Sequence, residues 1–160
     1  MNWTGVLQNI YISTEGGLPM TSLSTAQLTA GVGIEGDRYA TGKGTYSNMP
    51  SNDRQVTLIE SEALDAISRD YGITLDPQET RRNLITKEVP LNHLVGKKFW
   101  VGGALLYGAR LNVPCKYLEK ITGKSVFAPL VHRSGLNCEI LESEVIRSGD
   151  LIKPANNQNG

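Results

Sequence analysis

Phe99-Trp100-Val101-Gly102-Gly103-Ala104-Leu105-Leu106-Tyr107 consists of two runs of β-formers around a diglycine. Two such runs separated by two residues free to adopt positive φ form a hairpin signal, because a tight two-residue turn matches the twist of the strands it joins. Working outward, the same kind of segment recurs. Val6 to Ile12 ends at the turn signal Glu15-Gly16-Gly17, while Gln55 to Glu60 and Leu84-Ile85-Thr86 read as further strands. Leu136, Cys138 and Ile140 alternate with Asn137 and Glu139, the period of a half-buried strand. Thr21 to Leu28 is a weaker, polar strand, and Ile146 to Ile152 is a last one interrupted by Gly149.

Helical signals are fewer. Leu64, Ile67 and Tyr71 share one helical face, with Gly72 as the stop. Asp76-Pro77-Gln78-Glu79 combines a cap, a proline at the first helical position and an acid three residues after the cap, so a brief helical turn should deliver Arg81-Arg82-Asn83 into the next strand. Lys116 to Lys124 reads as a helix with Pro114 and Cys115 in its first turn, and Val126 to Val131 as a second short one. Thr41 to Asp53 is mostly Gly, Ser, Asn and Thr, which predicts a mobile surface loop. The balance predicts a mainly β fold with some α, a closed or nearly closed β-barrel with a few short helices packed outside, rather than a parallel α/β sheet. One domain should occupy residues 1–153, followed by a disordered polar tail at 154–160.

The chain has 160 residues, of which 39% are hydrophobic, and 17 glycines. Sixteen basic residues balance sixteen acidic ones. A net charge of zero argues against nucleic acid or an anionic membrane as the main partner, since both demand a basic excess. Met1-Asn2-Trp3-Thr4-Gly5 lacks the basic start and apolar run of a signal peptide, and no stretch approaches the roughly 20 apolar residues that span a bilayer. With two cysteines and two histidines at no metal-finger spacing, the expectation is a soluble cytoplasmic protein with reduced thiols.

Cys115 is the residue most suggestive of chemistry. A helix N-terminus offers free N–H groups and partial positive charge, which favour a thiolate. The opposing reading is a small buried cysteine, the role expected of Cys138. Gly36-Asp37-Arg38, Arg54, Arg81-Arg82-Asn83 and His132-Arg133 each sit at an element boundary and could contribute to an anion pocket, because guanidinium forks match phosphate in two-point fashion. His132 would matter only beside Cys115.

Taken together, Gly33-x-x-Gly36-Asp37-Arg38-Tyr39, Arg54-Gln55-Val56-Thr57-Leu58-Ile59, Thr80-Arg81-Arg82-Asn83-Leu84, Leu94-Val95-Gly96, Pro114-Cys115, His132-Arg133-x-Gly135 and Gly149-Asp150 resemble the MOSC domain, named after the C-terminal domain of molybdenum cofactor sulfurase. The resemblance spans about Gly5 to Lys153 and implies a β-barrel-rich, small stand-alone protein of the bacterial kind. It maps the family's cysteine onto Cys115, which would carry sulfur as a persulfide or contact molybdenum. The glycine–Asp–Arg loop and the Arg-Arg-Asn segment would then hold the cofactor's phosphate and pterin. Some cofactor-binding relatives have a second cysteine three residues further on, where this chain has Leu118. No pyridoxal-phosphate lysine motif is present, so sulfur would come from a cysteine desulfurase-type partner. Sulfurtransferase-type chemistry or molybdenum-dependent reduction of N-hydroxylated compounds would follow. The alternatives are a binding module for an anionic small ligand and a redox-sensing thiol protein.

Overall fold

The computed structural model describes residues 1–49 and 51–155. Among the described residues eleven strands run in the order β1 (Gly5–Ile12), β2 (Thr21–Leu23), β3 (Thr25–Thr29), β4 (Gly33–Ile34), β5 (Val56–Glu60), β6 (Leu84–Lys87), β7 (Lys98–Val101), β8 (Ala104–Leu111), β9 (Leu136–Glu142), β10 (Glu144–Arg147) and β11 (Leu151–Pro154). Three helices interrupt them: α1 (Arg38–Thr41), α2 (Ser61–Tyr71) and α3 (Lys116–Thr122). Seven strands close a ring, β1-β11-β7-β8-β9-β5-β6, with β6 pairing back to β1. The mainly β architecture is therefore a closed seven-stranded barrel. β2 extends β1 outward, and β10-β3-β4 form a separate small sheet.

The diglycine makes the expected hairpin: Val101 pairs with Ala104, and Gly102 takes φ +53°. β5 and β6 are the parallel pair, and α2 supplies the crossover that parallel strands require. Their positions split between two apolar clusters. Leu58 and Leu84 fill the barrel with Leu7, Phe99, Leu106 and Cys138. Ile59 and Ile85 face outward, onto Ile67, Leu118, Val126 and Leu130. Strands covered on both faces bury consecutive residues, as Val56 to Ile59 do with Thr57 among them. Cys138 is fully buried in the barrel, as expected, and burial pushes its thiol well above the ordinary value.

Several local expectations change. No helix spans Val126 to Val131. Pro129 has no N–H to donate and biases Ala128 away from helical geometry, so successive turns form instead, closed by Leu130 N–H donating to Val126 O at 3.1 Å and Val131 N–H to Ala128 O at 3.2 Å. Thr21 to Leu28 divides at Ser24 between two sheets, because β2 pairs with β1 while β3 pairs with β10. Cys115 is not in a first helical turn. It is the N-cap of α3 with an extended backbone (φ −135°, ψ 149°), and the helix starts at Lys116. Pro154, assigned to the tail from sequence, pairs with Phe99 in the barrel, and Ala155 N–H donates to Lys98 O. The rest of that tail, 156–160, lies outside the described residues. Between residues 41 and 53 no described side chain is buried, and 3-10 geometry begins at Asn52. Among the described residues no helix is long and apolar enough to cross a membrane.

Candidate functional site

Strand register places the site. Thr57 on β5 pairs with Asn137 on β9, which pairs with Arg110 on β8, past a bulge that follows Gly108. Because Val56, Leu58, Leu136 and Cys138 fill the barrel, pleating turns Thr57 and Asn137 outward. Residues 38–49 and 51–54 and the start of α3 cover this polar row, leaving a cavity of about 320 Å³ between barrel wall and cover. Arg38, Arg54, Arg81, Arg82 and Arg110 line it, together with Cys115. Tyr39, Tyr46 and Tyr117 complete much of the wall.

The arginines differ in what holds them. Arg38 is 5% exposed and pairs with the fully buried Asp37 at 3.0 Å. Its Nη2 donates to Arg81 O at 3.1 Å. Arg110 donates Nε–H to Asp53 at 2.6 Å. Burial raises the Asp53 carboxyl, but the hydrogen bond from Arg110 and the neighbouring Ser51, Arg110 and Arg54 outweigh it and leave the carboxyl below its ordinary value. Among the described residues Arg54, Arg81 and Arg82 have no carboxylate partner.

Arg54 donates to the carbonyls of Tyr46 and Met49 and stacks 5.5 Å from the Tyr46 ring. Arg82 is caught in a fork: Nε donates to Ser134 O at 3.0 Å, Nη1 to Thr80 O at 3.2 Å, and Nη2 to Ser134 Oγ and to Asn112 Oδ1. Burial pushes Arg82 down to about 10, with Cys115 opposing that shift. Arg81 has a left-handed backbone (φ 61°) at the end of the 3-10 turn Pro77–Thr80. Its Nη1 donates to Leu18 O at 2.7 Å, but its buried Nη2 has no partner among the described residues. Burial and then the Arg38 charge lower it. A cluster of cations short of anions, with a buried donor left over, is an arrangement that an anionic ligand completes.

Cys115 is half-buried at the cavity wall, against the outer apolar cluster. Burial raises the Tyr46 phenol first, and the neighbouring Cys115 raises it further. A phenol that keeps its proton is a donor toward sulfur.

The other residues singled out in the sequence fall into two groups. Asp37 and Asn83 lie beneath the cavity as its frame. Asp37 accepts from Ser13 N–H and caps α1 through Tyr39 N–H, and Asn83 bridges Tyr11 O and Thr57 N–H at 3.0 and 3.1 Å. Gly36 precedes Asp37 with φ +84°. His132 and Arg133 are not brought to the cavity. His132 is exposed and its carbonyl accepts from Asn92, while Arg133 pairs with Asp70 at 2.8 Å. What that segment contributes is Ser134, which holds Arg82, and Gly135. At Gly135, φ is +100° and a Cβ would sit 2.0 Å from Leu58 O, so only glycine lets the chain cross β5. Arg110, Asn112, Asn137 and Tyr46 were not singled out from sequence. The usable signal was alternation: once Leu136 and Cys138 face the barrel, Asn137 must face the other way.

The MOSC domain model matches residues 45–153. No curated protein matches. Among solved structures, the YuaD protein from Bacillus subtilis superposes with a TM-score of 0.80 at 20% identity, covering 96% of each chain. YiiM from Geobacillus stearothermophilus gives 0.74 at 14% identity, over 98% of this chain and 77% of that one. YiiM from Escherichia coli gives 0.68 at 17% identity, over 98% and 71%. These similarities establish the fold. Arg38 lies ahead of the matched segment, yet it lines the same cavity as the residues within it.

Proposed function

The chain belongs to the MOSC domain family, which is associated with molybdenum cofactor binding and sulfur transfer, and on that premise we propose that its cavity binds a phosphate-bearing cofactor of the molybdenum type beside Cys115. The observation that carries this reading is the buried Nη2 of Arg81, without a partner among the described residues, in the wall that also holds Cys115. Among the described residues no three His, Cys, Asp or Glu side chains converge to hold a bare metal ion. A metal that arrives within its own organic cofactor needs only one further soft ligand, and the Cys115 sulfur suits that role. Such a cofactor, when bound, would supply redox chemistry. Arg54 and Arg81 would take the phosphate, Arg82 would hold positive charge in place, and Tyr46 would donate a hydrogen bond to sulfur.

A second reading, sulfur carriage, is supported by the position of Cys138. That thiol is sealed inside the barrel, so a persulfide on Cys115 has no second thiol in the described chain to attack it. Loading would proceed by attack of the Cys115 thiolate on the outer sulfur of a partner's persulfide. A new S–S bond forms, the partner's S–S bond breaks, and the partner leaves as a thiolate. The partner would be a pyridoxal phosphate-dependent cysteine desulfurase, and the two free thiols suit a cytoplasmic setting. Metal analysis and intact mass of protein purified from a molybdate-supplied host test both readings. Cofactor binding predicts molybdenum that is lost in Arg81→Ala, and sulfur carriage predicts a one-sulfur mass increment that is lost in Cys115→Ser. Protein carrying neither would overturn both.

A further inference from the structure

Resting on the reading of the cavity as an anion site, we propose that Asn137 is a specificity-determining hydrogen-bond donor of this site, its amide nitrogen turned toward the ligand by a one-way chain of hydrogen bonds that starts at Arg82. A guanidinium can only donate, so the atom of Asn112 that meets Arg82 Nη2 must be its oxygen. Ser134 Oγ donates to that same oxygen at 3.2 Å. The Asn112 nitrogen is thereby directed to Asn137, and it donates to Asn137 Oδ1 at 2.8 Å. Asn137 must accept there, which leaves its Nδ2 as the free end.

Asn137 is 2% exposed and lines the cavity, and no acceptor among the described residues takes a hydrogen bond from its Nδ2. The hydroxyl of its β5 neighbour Thr57 is engaged elsewhere: Oγ1 donates to Asn83 Oδ1 at 3.3 Å and accepts from the Asn83 backbone N–H at 3.2 Å. A nearly buried amide with its oxygen engaged and its two N–H groups directed at a cavity selects a ligand that presents a hydrogen-bond acceptor there: a phosphate or carboxylate oxygen, a carbonyl, or an unprotonated ring nitrogen. A ligand presenting a donor at that point leaves two N–H groups facing another, and is rejected.

Side-chain amide NMR on the labelled whole chain tests this, with inorganic phosphate as the probe. Without any ligand, the Asn137 amide protons should exchange with water at least about tenfold faster than those of Asn112, whose N–H is engaged within the protein. Equal exchange overturns the orientation, whatever becomes of the anion reading. Added phosphate should shift the Asn137 amide signal, and Asn137→Asp, which replaces the donor by a carboxylate oxygen, should weaken phosphate at least about tenfold. Phosphate that shifts the Arg54 and Arg81 side-chain signals while leaving Asn137 unmoved removes Asn137 and spares the anion site. Phosphate that shifts none of them removes both.

Discussion

Ser134 holds Arg82 through two of its atoms: its carbonyl accepts Nε–H at 3.0 Å and its hydroxyl accepts from Nη2 at 3.1 Å. The two residues lie 52 positions apart in sequence, so this contact ties the end of the Pro77–Thr80 turn to the start of β9. Charged hydrogen bonds of this kind contribute about 1.5–3 kcal/mol each, and Ser134→Ala keeps the carbonyl contact while losing the hydroxyl one. The expected cost is about 1.5 kcal/mol, read as a lower urea midpoint at unchanged m-value. An unchanged midpoint would mean that the hydroxyl is not holding Arg82.

Arg81 should behave in the opposite way. Its buried Nη2 lacks a partner among the described residues, so Arg81→Ala removes an unsatisfied donor along with the bond to Leu18 O. Stability should stay within about 1 kcal/mol of wild type, while inorganic phosphate binding weakens at least about tenfold. Lys43→Ala, at an exposed position, serves as the surface-charge control and should change binding far less. Equal losses in the two variants would reduce the effect to general electrostatics.

The Asp53–Arg110 pair sets a pH dependence. The Asp53 carboxyl lies below its ordinary value in the folded protein, so its contribution to stability is present above the unfolded value of 3.8 and is lost as pH falls through the lower folded value. Asp53→Asn should therefore flatten the stability profile in the acid range below 3.8. At neutral pH the same variant leaves Arg110 without its carboxylate, adds an uncompensated cation to the cavity, and should tighten phosphate binding several-fold. Calorimetric titration reads the second effect, and weaker binding would show that Arg110 faces away from the anion.

The two thiols should differ sharply in reactivity. Cys115 is partly accessible at the cavity wall, whereas Cys138 is fully buried and its thiol is raised by that burial. In native protein at neutral pH, alkylation followed by peptide mapping should label Cys115 readily and Cys138 only as fast as the barrel opens. Matching rates at the two sites would contradict this barrel core.

Gly135→Ala should be among the most disruptive single changes. The added methyl meets Leu58 O at 2.0 Å, with φ at +100°. A loss of at least about 3 kcal/mol is expected, or failure to accumulate as folded protein. Gly72→Ala, where nothing lies within 4 Å and only the positive φ is strained, should cost much less.

Local chemistry was enough to place the diglycine hairpin, the strands around Leu58, Leu84 and Cys138, the Glu79 contact that closes the Pro77–Thr80 turn, and the contrast between the two cysteines, because each depends on backbone propensity or on apolar period within a few residues. Closure of the seven strands, the gathering of Arg38, Arg54, Arg81 and Arg82 around Cys115, and the placement of His132 and Arg133 elsewhere were decided by pairings between distant segments. Asn137 marks the boundary between the two. Alternation shows that it faces away from Leu136 and Cys138, but a polar strand face looks the same in sequence whether it meets bulk water or a walled cavity. Only the segments folded over it, residues 38–49 and 51–54 and the start of α3, turn that face into a site.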